Sequence, residues 1–326
     1  MIPTFVNNLF YGNVQPFQEA VQQAYAFQTQ HNTVYGQFCA LQRQGQGSIF
    51  KMEKIPYLPI RFFKSHKVVT GTDAAVTVFE SSGTTQTNTS KHYVTDVQLY
   101  ETSFFKGFER VYGPTQNWCI LGLLPSYLER QHSSLVYMVQ QLMQSSAHPQ
   151  NGFYLNEHEA LHRLLVQLET VQQPILLFGV TFALLDFAEQ FPMQLRHTVV
   201  LETGGMKGRR EELIREEVHN QLKQQLGLQQ VHSEYGMTEL LSQAYSTGDG
   251  LFHCPAWMKV LVREEDDPSI VRQQGKGALN IIDLANINSC CFLATDDVGE
   301  VYADGSFRVM GRLDNSDIRG CSLLAL

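Results

Sequence analysis

Five short stretches of the chain collect residue types that can hold a nucleotide. The first is Glu80–His92, ESSGTTQTNTSKH, with seven hydroxyl side chains, a glycine and a lysine in thirteen residues. Gly83 lets backbone approach an anion closely; Ser81, Ser82, Thr84 and Thr85 offer hydroxyl donors, and Lys91 a positive charge. The spacing is not that of a Walker loop. Alone, the stretch reads as a solvated turn first and a phosphate cradle second. The second stretch is Glu202–Arg210, ETGGMKGRR. Its pair Gly204-Gly205 leaves a flat wall against which a planar base can lie, or else it is a plain turn beside a solvated cluster of Lys207, Arg209 and Arg210.

The third stretch is Tyr235–Glu239, YGMTE. Tyr235 beside Gly236 can stack on a base. Thr238 can meet a phosphate near a helix N-terminus, and Glu239 can ligate magnesium, a hard cation that prefers carboxylate and phosphate oxygens. A helix cap explains the same residues. The fourth, TDDVG at Thr295–Gly299, supplies an acidic pair that can bond a ribose diol, and equally makes a surface β-turn. The fifth, GRLDNSDIRG at Gly311–Gly320, places Arg312 to reach phosphate or ribose and Asp314 at a pivot, or it is a polar turn.

Hydrophobic patterning gives the elements that must position these stretches. Val14–His31 reads as an amphipathic helix, and Ile55–Phe63, with two prolines, as extended chain. Short apolar runs at Val76–Phe79, Trp118–Leu124, Pro174–Gly179 and His197–Glu202 read as strands. Between them, Thr95–Val111, Ser133–Gln144, Phe182–Gln190 and Arg209–Leu226 read as helices. Gln230–Tyr235 reads as a strand entering a helix near Thr238. This alternation predicts a large doubly wound mixed α/β sheet over 1–247. From about Gly248 the glycine-punctuated short strands predict a smaller β-rich subdomain over 248–326. In open α/β sheets ligands sit at the carboxyl ends of strands, where the five stretches are expected to gather.

Composition sets limits. With 326 residues, 43% hydrophobic and 17% charged, the chain can bury a sizeable core. A net charge of −8 argues against nucleic-acid binding. The six cysteines show no metal-ligand spacing, and adjacent Cys290 and Cys291 in SCCFLAT suit buried free thiols. Neither a secretory leader nor a bilayer-length apolar run is legible, so a cytoplasmic protein is expected.

In their order, the five stretches resemble the motifs of the adenylate-forming superfamily of acyl and aryl ligases. Within that group, LPSYLERQHSSLVYM (Leu124–Met138), ETGGMKGRREELIREEVH (Glu202–His219) and SEYGMTELLSQAYS (Ser233–Ser246) resemble the acyl-protein synthetase subunit of bacterial bioluminescent fatty-acid reductase. The similarity runs from about Phe79 to Leu324. It implies the adenylate-forming fold, ATP and Mg2+ as requirements, and a carboxylic, in the first place fatty, acid as substrate. The acyl-adenylate would pass to a thiol: an enzyme cysteine, for which Cys321 is the candidate with Arg319 nearby, or CoA or a carrier protein, with a reductase as a possible protein partner. The resemblance assigns Ser82, Thr84, Thr85 and Lys91 to the β and γ phosphates, and Thr238 to the α-phosphate. Glu239 is assigned to magnesium, Gly204, Gly205 and Tyr235 to adenine, and Asp297 and Arg312 to ribose. His132 and Arg130 are candidates for the carboxylate side, while His92 reads as exposed. Two departures stand out: Gln86 and Asn88 or Thr89 replace the family's Gly and Pro, and Asp296 replaces its motif glycine. The sequence also reads only a few residues past the hinge motif, with no lysine after Lys276. The lid domain of full-length ligases is therefore expected to be missing, and a binding protein that depends on a partner subunit stays open as the alternative.

Overall fold

The computed structural model describes residues 10, 16–42, 50–81, 89–124, 130–204 and 214–313. Its strands are β1 Leu58–Pro59, β2 Thr77–Glu80, β3 Lys91–Val94, β4 Cys119–Leu123, β5 Gly152–Phe153, β6 Ile175–Val180 and β7 Thr198–Thr203. They continue with β8 His232–Tyr235, β9 Ala244–Ser246, β10 Met258–Arg263, β11 Val271–Arg272, β12 Gly275–Asp283, β13 Phe292–Val301 and β14 Phe307–Arg312. The helices are α1 Phe17–His31, α2 Thr33–Gln42, α3 Phe62–Ser65, α4 Val97–Tyr112, α5 Ser134–Ser146, α6 His158–Thr170, α7 Thr181–Gln190 and α8 Arg215–Leu226.

One sheet runs β5-β4-β6-β7-β8-β9, parallel except for β9. Strands β4 and β6 are apolar throughout because both faces are covered. Cys119, Leu121, Ile175, Leu177 and Val200 point to one side, where Leu161, Leu165, Leu184, Phe187, Leu222 and Leu226 of α6, α7 and α8 close a core. The alternate residues Ile120, Leu176, Phe178 and Leu201 enter a second core with Tyr100, Phe104 and Phe108 of α4 and Val139 and Leu142 of α5. Period-2 alternation thus feeds two cores from one strand. The second core continues into the other large sheet, β1-β13-β12-β10-β11 with β14 on β13, where Val260, Ile281 and Leu293 are buried. The short β1, from the N-terminal part of the chain, pairs parallel with β13.

The doubly wound sheet and the β-rich C-terminal part agree with the sequence reading. Two local expectations are corrected. The loop after Glu80 does not leave a strand of the parallel sheet; it joins β2 to β3, an antiparallel pair in register Glu80↔Lys91. The chain beyond Tyr235 forms a turn at Thr238–Glu239 and returns as β9, with no helix there. The Ile55–Phe63 segment is extended only at β1 and then enters α3. The sequence reading passed over α2 and α6. Among the described residues, no helix is long and apolar enough to cross a membrane.

Candidate active site

The turn Gly236–Gln243 between β8 and β9 is pinned from three directions. From β3, the buried His92 Nδ1 lies 2.8 Å from the Thr238 carbonyl. From the loop after β12, Asn286 Nδ2 donates to the Glu239 carbonyl at 2.7 Å. Asp283 accepts from Leu241 N at 2.9 Å, Ser242 N at 3.0 Å and Ser242 Oγ at 2.5 Å. Burial brings the His92 imidazole down to about 4, so the ring is neutral and carries its proton on Nδ1 toward Thr238. Its Nε2 is buried without a hydrogen-bond partner, as is the Oδ1 of Asn286. Burial raises the Asp283 carboxyl to about 6 against the pull of its four hydrogen bonds, the fourth from Ala285 N.

Glu239 is 5% exposed, and burial raises its carboxyl, opposed by a hydrogen bond from Ser90 and by the charges of Arg312 and Lys64. Ser90 stands at the foot of the hydroxyl-rich loop, and its N–H donates to Ser81 Oγ at 2.9 Å. Ser90 therefore joins the loop base to Glu239, and the Arg312 charge acts on the same carboxyl, although the three lie far apart in sequence. Lys91 is on β3 with Nζ 3.4 Å from Glu80 Oε1, a partly exposed pair. His132 Nδ1 donates to Val78 O at 3.2 Å, and its own carbonyl accepts from Glu80 N. This seats His132 beside the same hairpin, with Arg130 exposed.

At the other rim, Tyr235 Oη donates to Asp297 Oδ2 at 2.7 Å, and Arg312 Nε donates to Asp297 Oδ1 at 3.0 Å. Asp297 and Arg312 are cross-strand partners on β13 and β14. The Tyr235 ring is 8% exposed and packs edge-on against Phe307.

Two buried glutamates support the glycine turns. Glu202 accepts from Thr181 Oγ1, which also donates to Gly204 O at 2.7 Å. Gly204 has φ +79°, a left-handed conformation that glycine adopts without strain. Glu234, cross-strand from Thr203, accepts from Thr203 Oγ1. Its Oε1 lies where a side chain at 236 would begin, so a larger residue there would have to displace the Glu234 carboxyl.

Ser81, Lys91, Gly204, Tyr235, Gly236, Thr238, Glu239, Asp297 and Arg312 thus lie on described segments. Ser82, Gly83, Thr84, Thr85, Gly205, Asp314, Arg319 and Cys321 lie outside the described residues. His92, read from sequence as exposed, is fully buried, because β3 turns it inward against Phe63. Sequence reasoning also missed Asp283, Asn286 and Glu234. Glu234 alone carried a signal, a carboxylate directly before the YGMTE motif. Cys39, Cys119, Cys254, Cys290 and Cys291 are free thiols.

The donor set fits magnesium: one buried carboxylate, Glu239, beside a hydroxyl-rich loop suits an ion that keeps few protein ligands and completes its shell with phosphate and water. Among the described residues, no cluster of three or more acidic, histidine or cysteine side chains makes an all-protein cage.

Two packed sheets with these stretches around the turns after β7 and β8 define the fold of adenylate-forming enzymes. The ATP-bound MatB of Rhodopseudomonas palustris superposes with a TM-score of 0.51 at 15% identity, over 72% of this chain and 47% of that one. An ATP-bound RpMatB–BxBclM chimera gives 0.52 at 14% identity, over 74% and 49%. The chain spans about half the length of these relatives. More narrowly, residues 12–325 match the model of the family described as acyl-protein synthetase, LuxE, and the chain belongs to that family. A search of curated proteins returned no match.

Proposed function

We propose that the protein activates a carboxylic acid with ATP, releasing pyrophosphate, and passes the acyl group to a thiol. The observation that carries this reading is the buried Glu239 carboxyl, hydrogen-bonded by Ser90 at the foot of the hydroxyl-rich loop and under the charge of Arg312. A carboxylate oxygen of the acid attacks the α-phosphorus, and the bond to pyrophosphate breaks. Thr238 is then the α-phosphate contact, Glu239 the ligand of magnesium, and Ser82, Thr84, Thr85 and Lys91 the grip on the outer phosphates. Bound magnesium neutralises phosphate charge. Gly204, Gly205, Tyr235 and Gly236 frame adenine, while Asp297 and Arg312 hold the ribose. Catalysis of this kind is mostly positioning and charge neutralisation, which suits a turn fixed by His92, Asn286 and Asp283.

In the second half, a thiol loses its proton, its sulfur bonds to the acyl carbon, and AMP leaves. Family membership supports a protein thiol as acceptor, with Cys321 the candidate on this chain and CoA or a carrier protein as other sources of the same chemistry. A fatty acid is the first acid to try. The test is acid-dependent exchange of labelled pyrophosphate into ATP, with magnesium, over fatty and aromatic acids. Exchange with one acid class is expected. No exchange with any acid, while ATP still raises the unfolding temperature, overturns the reading in favour of a binding protein.

A further inference from the structure

Beneath the Gly204 turn, four buried polar side chains meet at the edge of an apolar core: Thr181 at the start of α7, Glu202 on β7, Ser233 on β8 and His219 on α8. Glu202 follows Val200 by two residues, on the face of the sheet that α7 and α8 cover with Leu184, Phe187, Val218 and Leu222. Ser233 is its cross-strand neighbour. The Ser233 hydroxyl donates to Glu202 Oε2 at 3.3 Å, and His219 Nε2 lies 3.3 Å from Ser233 Oγ and 3.9 Å from Glu202 Oε2. Because the one Ser233 proton is engaged by Glu202, His219 Nε2 carries the proton that Ser233 accepts. On the other side, Thr181 Oγ1 bridges Glu202 Oε1 and the Gly204 carbonyl, the latter at 2.7 Å. A hydrogen-bonded chain thus runs from α8 through β8, β7 and α7 to the main chain of the turn.

Packing does not call for this polarity. An apolar set would fill the same space without the cost of desolvating a carboxyl, an imidazole and two hydroxyls. The turn does call for it. Gly204 is exposed, has φ +79°, and a side chain there would meet nothing within 4 Å. Glycine has the most backbone freedom of any residue, so its conformation has to be held from outside the turn. We propose that Thr181 is a positioning residue of the nucleotide site: its hydroxyl, anchored by Glu202, Ser233 and His219, fixes the Gly204 carbonyl and with it the wall on which the base lies. The proposal rests on the adenylation reading for the presence of that base, and it gives a role to residues that touch no substrate. The base does not react, so a wall held in place favours the ground state and the transition state equally. Thr181 therefore acts on nucleotide affinity and not on the rate of the chemical step.

The experiment uses the full chain and three variants. Thr181→Val keeps the shape and loses the hydroxyl, Thr181→Ser keeps the hydroxyl, and Ser233→Ala removes one link of the chain. AMP binding is measured by calorimetry, pyrophosphate exchange gives the KM for ATP and kcat, and circular dichroism confirms folding. Thr181→Val is expected to bind AMP roughly tenfold more weakly and to raise the KM for ATP by about the same factor, with kcat within about twofold of wild type. Thr181→Ser is expected to stay within about threefold of wild type in both, and Ser233→Ala to fall between the two. A purely structural role would lower the unfolding temperature of Thr181→Val and leave the AMP affinity of the folded protein unchanged; that result overturns the proposal. So does Thr181→Ser binding as weakly as Thr181→Val, or a loss of kcat with KM unchanged. Should Thr181→Val not fold, Ser233→Ala decides: weaker AMP binding upholds the proposal, and unchanged binding overturns it. Exchange together with AMP binding that Thr181→Val leaves alone keeps adenylation and removes this role. A Thr181-dependent AMP affinity without exchange for any acid does the reverse. A chain that binds no AMP overturns both.

Discussion

The two rims of the candidate site are built on opposite principles. The turn after β8 is held from within: His92, Asn286 and Asp283 bond its backbone, and all three are fully buried. The Asp297–Arg312 rim is held at one end only. Asp297 is buried and bonded by Tyr235, while the Arg312 side chain is 70% exposed. A buried, neutral or multiply bonded group fixes geometry at a cost in desolvation. An exposed cation costs little and fixes little. Under the proposed function, the chemical step would need the first kind of support, because displaced phosphate contacts lose rate steeply, and a ribose contact would tolerate the second kind.

The largest expected effect lies at the rigid rim. Glu239→Gln should lower pyrophosphate exchange by about 100-fold or more while leaving AMP affinity within about threefold, read by exchange rates and calorimetry. Equal losses of binding and turnover would mean that Glu239 only supports the fold. Next, Asp283→Ala leaves three backbone N–H groups, of Leu241, Ser242 and Ala285, and the Ser242 hydroxyl without their acceptor. It should destabilise the chain by roughly 2–4 kcal/mol in urea unfolding and reduce exchange as well. An unchanged unfolding midpoint would remove the distinction between the rims.

Stability should also depend on pH. Folding holds the Asp283 carboxyl up to about 6 and the Glu234 carboxyl up to about 7, above the ordinary carboxylate range. Each therefore binds its proton more tightly in the folded chain. Their contribution is complete below the ordinary carboxylate range and is lost as pH rises through the raised values. The unfolding temperature is expected to fall between about pH 4.5 and about pH 7, with Glu234→Gln removing the upper part of the fall. At the exposed rim the effects are smaller. Arg312→Ala should raise the KM for ATP by about three- to tenfold, more at low salt, and change stability by less than about 0.5 kcal/mol. A large loss of stability from Arg312→Ala would show that this rim, too, is structural.

The two regions also differ in how much of them the sequence disclosed. The motif residues announced themselves: Asp297, Arg312 and the hydroxyl-rich stretch belong to motifs whose residues are adjacent in the chain. The supports did not. His92 looked like a loop residue, and only the β2–β3 pairing turns it into the core. Asn286 and Asp283 lie in an apolar stretch, and their partners are more than 40 residues distant. Gln28, on a helix read as merely amphipathic, is fully buried and donates to Ile287 O at 2.7 Å, bracing the loop that carries Asn286. The expected helix near Thr238 failed because Asp283 captures the N–H groups of Leu241 and Ser242, and Leu241 and beyond return directly into β9.

By itself, the sequence determined the local choices. Period-2 apolar runs made the strands, 3.6-period patterns made the helices, and glycines stood where backbone must turn or be approached. It also set the order of the motifs, and with it the family. Which buried polar group faces which was decided only in the tertiary structure. The pairings of His92 with Thr238, Asn286 with Glu239, and Glu234 with Gly236 depend on strand register and sheet packing. A hydrogen bond between distant residues leaves no period in the chain, since its geometry exists only once both cores have closed.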